Sequence, residues 1–229
     1  MRTRKLGTLT IGQAPRADIT PILDAHLPAA LPRVHMGVLD GLTREAIEVH
    51  YAPQPGNATL VSRLLDGSSV VIDKPVVRAV LQEKIDALAA QGCDVVLVLC
   101  TGEFHGLEGR AAWLIEPDRI VPPAAAALAG ERQVGIVVPL VSQIDSEFRK
   151  WAGLHRAPIC AAASPYRNAD ETGELIAAAR QLRDEGAELL ILDCMGFVER
   201  HRQIVQEASG LPVILSNALI ARLTAEVLQ

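Results

Sequence analysis

Residues 91–102 read Gln-Gly-Cys-Asp-Val-Val-Leu-Val-Leu-Cys-Thr-Gly, and residues 185–196 read Glu-Gly-Ala-Glu-Leu-Leu-Ile-Leu-Asp-Cys-Met-Gly. Each carries Gly-x-acid, an apolar run and then Cys-x-Gly, so Cys100 and Cys194 close equivalent elements. A short apolar run bounded by Gly and polar residues is what a strand buried on both faces of a parallel sheet requires. In open α/β sheets, ligands bind outside the carboxyl ends of such strands. Two thiols presented there, one from each half of the chain, form a chemical arrangement as well as a packing one.

The repeat extends outward. Glu131-Arg132-Gln133-Val134-Gly135-Ile136-Val137-Val138-Pro139 echoes Lys5-Leu6-Gly7-Thr8-Leu9-Thr10-Ile11. The spacing predicts strands at 6–12, 33–39, 69–72, 94–100, 133–139, 157–162, 188–193 and 212–215. Helical patterns fall at 18–28, 43–50, 74–91, 106–113, 121–129, 141–153, 170–186, 198–208 and 217–228. This alternation predicts an α/β fold of two pseudo-symmetric, doubly wound parallel-sheet lobes. Residues 1–116 plus 212–229 are expected to form the N-terminal lobe, with 212–229 crossing back to complete it, and 117–211 the C-terminal lobe. Gly7 to Cys100 spans much more chain than Gly135 to Cys194, so the first half carries an insertion, placed at 40–68 around the loop Tyr51-Ala52-Pro53-Gln54-Pro55-Gly56-Asn57.

The 229-residue chain is 49% hydrophobic and 21% charged, enough for a substantial core. A net charge of −5 with scattered Lys and Arg lacks the basic patch that nucleic acid requires, and 3% aromatics offer no stacking platform for bases. The apolar segment after Met1-Arg2-Thr3-Arg4-Lys5 is too short for a signal sequence or membrane span, so the expectation is a cytoplasmic protein with neither membrane nor nucleic acid as partner. Four cysteines without CxxC or His-Cys spacing suggest neither a disulfide framework nor a metal site.

The residues at the strand ends carry the chemistry. Thr101 and Gly102 after Cys100, and Met195 and Gly196 after Cys194, offer backbone N–H groups and a hydroxyl to an anion. In the first βα turn, Gly12, Gln13 and Arg16 can meet a carboxylate, Arg16 as a fork. Pro139, Ser142 and Gln143 form the corresponding turn of the second half, and Ser216 and Asn217 follow the last strand. Asp193 should point to the face opposite Cys194, as an orienter, and His201 is a candidate thiolate partner. Lys74, after Asp73, extends the rim. Each has a plainer reading: a free Cys is commonly just buried, Ser142, Ser216 and Asn217 can simply cap helices, and Glu199-Arg200-His201-Arg202 can be a solvated helix face. The matched Cys-x-Gly spacing favours chemistry, because two thiols on opposite sides of a Cα–H can remove a proton from one face and return it to the other without cofactor or metal.

Leu9-Thr10-Ile11-Gly12-Gln13-Ala14-Pro15-Arg16, Tyr51-Ala52-Pro53, Pro122-Pro123, Val134 to Pro139, Leu192-Asp193-Cys194-Met195-Gly196-Phe197 with Arg200-His201-Arg202, and Leu215 to Leu223 together resemble the AroM family. That family lies within the wider aspartate/glutamate racemase superfamily, and the resemblance runs end to end. It implies two α/β lobes, often assembled as homodimers. It also implies cofactor-independent racemase, epimerase, isomerase or decarboxylase chemistry using a cysteine or cysteine pair at the lobe interface. Cys100-Thr101 falls where the superfamily typically shows Cys-Asn-Thr, and Cys194 where it shows Cys-Thr. The Asn is absent here and Met195 replaces the hydroxyl residue, so two carboxylate-holding side chains of the pattern are missing. The expectation is therefore an isomerase-type enzyme on a small carboxylate-bearing metabolite. The alternative is a non-catalytic small-molecule-binding or regulatory protein linked, as the family name implies, to aromatic (shikimate) metabolism.

Overall fold

The computed structural model describes residues 4–166 and 171–228; residues 1–3, 167–170 and 229, including the first residue of the helix expected at 170–186, lie outside it. The chain divides into two compact units, Met1–Pro117 with Ala221–Gln229, and Asp118–Ile220.

The first unit contains β1 (Leu6–Thr10), α1 (Thr20–His26), β2 (Arg33–Gly37), α2 (Arg44–His50), β3 (Thr59–Arg63), β4 (Ser69–Asp73), α3 (Lys74–Ala90), β5 (Val95–Leu99) and β6 (Trp113–Ile115). Its parallel sheet runs β2-β1-β5-β6. The second unit contains α4 (Pro117–Ala129), β7 (Val134–Val138), a 3-10 turn (Val141–Gln143), α5 (Ile144–Lys150), β8 (Ile159–Ala162), α6 (Glu171–Asp184), β9 (Leu189–Leu192), α7 (Glu199–Ser209), β10 (Val213–Leu215) and the start of α8 (Ser216–Glu226). Its parallel sheet, β8-β7-β9-β10, repeats the first strand for strand. Every residue of β1, β5, β7 and β9 is buried, as near-continuous apolar strands between two helical layers must be.

The repeated sequence motif has a repeated structure. Gly92 and Gly186 sit at φ +81° and +96°, turning the chain from α3 into β5 and from α6 into β9 in a conformation that L side chains resist. The acid two residues on reaches the neighbouring strand: Asp94 Oδ2 accepts the Lys5 N–H and Glu188 Oε2 the Gln133 N–H, both at 2.8 Å. Gly-x-acid is thus a device for entering the central strand and pinning the lead-in of β1 or β7 beside it.

Three expectations change. β10 pairs with β9 and supplies the fourth strand of the second sheet, so the return to the first unit begins at Ala221 and not at 212. The segment expected as a helix at 106–113 is turns leading into β6, whose three residues are too few for a periodicity to show. Residues 40–68 hold α2 and β3; β3 pairs antiparallel with β4 as a hairpin beyond the parallel sheet. Among the described residues no helix is long and apolar enough to cross a membrane.

Candidate active site

Cys100 directly follows β5, the strand hydrogen-bonded to β1. Its Sγ accepts the Gly102 N–H at 3.3 Å, and both Cys100 and Thr101 are buried, at 7% and 8% exposure. The thiol belongs to an apolar cluster that includes Leu60, Phe104 and Leu107. A Cβ at Gly102 would lie 3.1 Å from a Leu60 methyl.

The turn after β1 is committed to holding loops together. A Cβ on Gly12 would come within 2.4 Å of Arg63 O and of Ser62 Oγ, so only glycine lets β1 pass this close to the end of β3. Gln13 spends its whole amide on backbone: Nε2 donates to Leu39 O (3.3 Å) and Leu42 O (3.0 Å), and Oε1 accepts the Leu65 N–H (2.9 Å). Arg16 is buried and forks onto Asp18 at 2.9 and 2.7 Å, with its remaining nitrogen reaching Thr10 Oγ1 at 3.3 Å and Ser62 Oγ at 3.5 Å. The fork expected for a substrate carboxylate therefore holds a carboxylate of the chain itself. Further along the rim, Asp73 caps α3 by accepting the Val76 N–H, and Lys74 Nζ lies 5.7 Å from the centre of the Phe104 ring. Burial works against the Asp73 charge, but donors from Asn57, Gln54 and Val76 outweigh it and hold the carboxyl below its ordinary range.

In the second unit Cys194 follows β9, the strand equivalent to β5. Its Sγ accepts the Gly196 N–H at 3.4 Å and lies 3.8 Å from the Tyr166 hydroxyl. The loop after it is pinned by Asn217, whose Nδ2 donates to Met195 O (3.0 Å) and Phe197 O (2.6 Å). The fully buried Asn217 Oδ1 has no hydrogen-bond partner, a free acceptor next to the thiol's loop. Met195 is buried and contributes its carbonyl.

Asp193 points away from Cys194, as strand alternation requires, into a buried polar cluster. Its Oδ2 pairs with Lys150 and accepts from Trp151 Nε1 at 3.3 Å, while Oδ1 accepts from the Ser216 hydroxyl at 3.2 Å. Trp151 Nε1 also donates to Glu147 Oε2 at 2.7 Å, and Lys150 Nζ is 3.9 Å from the same oxygen. Burial first and the Asp193 charge second push the Glu147 carboxyl up to about 8, against the pull of Lys150. The nearby Cys160 thiol is pushed up to about 12 by burial and then by these two carboxylates, so it is a poor nucleophile. Ser216 is thereby absorbed into orienting Asp193.

Pro139 is buried just past β7, and Ser142 and Gln143 occupy the 3-10 turn before α5, where the Gln143 carbonyl accepts from the Ser146 hydroxyl at 2.7 Å. His201 serves α7: its Nδ1 accepts the Val198 N–H at 2.9 Å and its Nε2 meets Glu171. An accepting Nδ1 carries no hydrogen, so the ring is the Nε2–H tautomer and both nitrogens are occupied away from the thiol. Among the described residues no group of three His, Cys, Asp or Glu is placed to hold a metal ion.

Two features escaped the sequence reading. Tyr166 is a polar aromatic just beyond a parallel strand, which is a signal; Lys150 and Glu147, three apart on α5, fall within a helical pattern whose charges the sequence does not single out.

The family described as AroM protein matches residues 6–228. The chain belongs to the AroM family. No curated protein sequence matches this AroM protein. Solved structures share its fold. Glutamate racemase isoform RacE1 from Bacillus anthracis matches with a TM-score of 0.65 at 16% identity, over 99% of this chain and 82% of that one. Allantoin racemase from Pseudomonas fluorescens gives 0.58 at 16% identity, over 98% and 90%. Unliganded arylmalonate decarboxylase gives 0.56 at 15% identity, over 99% and 92%. At these identities the likeness concerns the fold, the two-sheet α/β architecture of the racemases.

Proposed function

We propose that this AroM protein is a cofactor-independent racemase- or isomerase-type enzyme acting on a small carboxylate-bearing metabolite, with Cys100 and Cys194 as its proton-transferring pair. The observation that carries this reading is the matched thiol geometry: each sulfur closes the equivalent strand and accepts the N–H of the glycine two residues on, at 3.3 and 3.4 Å. A hydrogen bond from N–H to sulfur strengthens when the sulfur is charged. One thiolate takes the Cα proton and becomes a thiol, and the electron pair left behind is delocalised into the substrate carboxylate. The other thiol gives its proton to the opposite face and becomes the thiolate, so the proton count of the enzyme is unchanged. Racemases of glutamate and of allantoin on the same fold support the reaction type.

Solvent deuterium exchange tests the reading. Wild-type protein in D2O should incorporate deuterium at Cα of a substrate from a panel of 2-amino, 2-hydroxy and ureido acids, and Cys100→Ala and Cys194→Ala should each lower racemisation by more than about a thousandfold. Absence of exchange across the panel overturns it. The contrast between the thiols' surroundings favours one further reading, a decarboxylase needing one thiol; arylmalonate decarboxylase shares the fold. Carbon dioxide release surviving one Cys→Ala variant and lost in the other would select it.

A further inference from the structure

Helix α3 splints the loop that carries the chain away from Cys100, with one side chain per helical turn. Residues four apart on a helix share a face, and Lys74, Arg78, Gln82 and Asp86 form such a row. Arg78 donates from Nε to His105 O at 2.6 Å and from a terminal nitrogen to Gly106 O at 2.9 Å. Gln82 donates from Nε2 to Glu108 O at 3.0 Å, and its Oε1 accepts the Glu108 N–H at 2.9 Å. Asp86 meets Arg110 at 3.5 Å. Row and loop run in register, and the chain itself fills each of these rungs.

The rung nearest Cys100 is different. Lys74 lies over the Phe104 ring, and among the described residues it pairs with no carboxylate. The acids flanking Lys74 and Phe104 in the chain are engaged elsewhere. Asp73 accepts from the Val76 and Gln54 N–H groups and from Asn57 Nδ2, and Glu103 faces the His105 ring at 3.6 Å. Phe104 belongs to the apolar cluster of Cys100, and a Cβ on Gly102 would meet the Cys100 sulfur at 3.3 Å and the Phe104 ring at 3.9 Å. Cation, ring and thiol therefore follow one another at one strand end.

We infer that Lys74 is a substrate-binding residue: its ammonium takes the carboxylate of the small metabolite at the Cys100 strand end. The inference rests on the reading of this protein as an enzyme for carboxylates. Arg16, whose fork suits that task by residue type, already holds Asp18, so the task falls to another cation. An ammonium has three donors, and the face of a ring engages only one side of it. A substrate carboxylate completes this rung as the peptide groups and Arg110 complete the others. The contact also strengthens during reaction, because the electron pair left by removal of the Cα proton moves into that carboxylate.

The test pairs each acid of the 2-amino, 2-hydroxy and ureido panel with its own carboxamide and reads affinity from the concentration dependence of thermal stabilisation. Wild-type protein should bind at least one acid, and Lys74→Met, which keeps an apolar stem against Phe104, should weaken that acid by about ten- to a hundredfold. The matching carboxamide should change by less than about twofold, and Lys74→Arg should retain most of the acid's affinity. Hydrogen exchange across residues 103–108 should be the same in wild type and Lys74→Met, whereas Arg78→Met should speed it. Equal loss of acid and carboxamide, a loop loosened by Lys74→Met, an affinity indifferent to Lys74, or no acid bound by the wild type would each overturn the inference. Binding through Lys74 without deuterium exchange at Cα would uphold this site and sink the isomerase reading alone. Exchange that proceeds equally in Lys74→Met would do the reverse.

Discussion

The strand ends at Cys100 and Cys194 are built from one plan and furnished differently. Both have the left-handed glycine, the strand-pinning acid, the thiol and the glycine N–H on sulfur. Around Cys100 the chain then packs Leu60, Phe104 and Leu107, drawn in part from the β3–β4 insertion that the second unit lacks. Around Cys194 it places a phenol, a free amide oxygen and, on the reverse face of the same strand end, two buried carboxylates with a part-buried lysine between them. A shared backbone frame thus fixes where a thiol sits, while the neighbours decide what each thiol can do.

The most damaging break of this contrast is Lys150→Met. It leaves Asp193 and Glu147 facing each other without a cation in a buried site, and uncompensated buried charge costs about 3–5 kcal/mol. Denaturant unfolding should show that loss, and a stability within about 1 kcal/mol of wild type would mean that the cluster is not the anchor of the Cys194 strand end.

A smaller effect comes through pH. Glu147 is raised from an ordinary 4.5 to about 8. As pH climbs between those values the unfolded chain releases this proton while the folded chain keeps it, so the native state binds more protons and stability falls with rising pH. The contribution is absent below about pH 4 and reaches its full cost above pH 8, on the order of 1 to 3 kcal/mol given the sharing with Lys150 and Asp193. Glu147→Gln should flatten that decline, gaining stability over wild type at pH 8 and matching it near pH 5. A wild-type profile that rises from pH 5 to 8 and is unaltered by the substitution would contradict a neutral buried Glu147.

The sequence made the shared frame legible because that frame is local. Gly-x-acid, an apolar run and Cys-x-Gly are readable in order, and the strand order follows from their repetition. The furnishings were not legible because they come from residues distant in sequence. Tyr166 reaches Cys194 across 28 positions and Lys150 reaches Asp193 across 43, and neither pairing leaves a periodicity. Arg16 and Gln13 show the converse. Their residue types suit a carboxylate ligand, yet Asp18 two residues on and three backbone groups of the adjoining loops satisfy them first. β10 was assigned to the wrong unit for a related reason, since a three-residue strand carries no mark of the sheet it joins.

The finest test sets the paired glycines against each other. In Gly102→Ala the new methyl meets a Leu60 methyl at 3.1 Å and the Cys100 sulfur at 3.3 Å. The Leu60 side chain can yield by a rotamer adjustment, so the expected loss is under about 1 kcal/mol. In Gly196→Ala the methyl falls 2.2 to 2.5 Å from three atoms of a rigid ring whose backbone is held at Ser164, and overpacking of that kind costs about 1–3 kcal/mol. Thermal unfolding of the two variants should therefore separate them, with Gly196→Ala the lower. Tyr166→Ala in the Gly196→Ala background should recover part of the difference, because the clash is with the ring and not with the strand. Equal losses at the two glycines would mean that the halves differ less than their neighbours suggest, and that the phenol yields as freely as a leucine methyl.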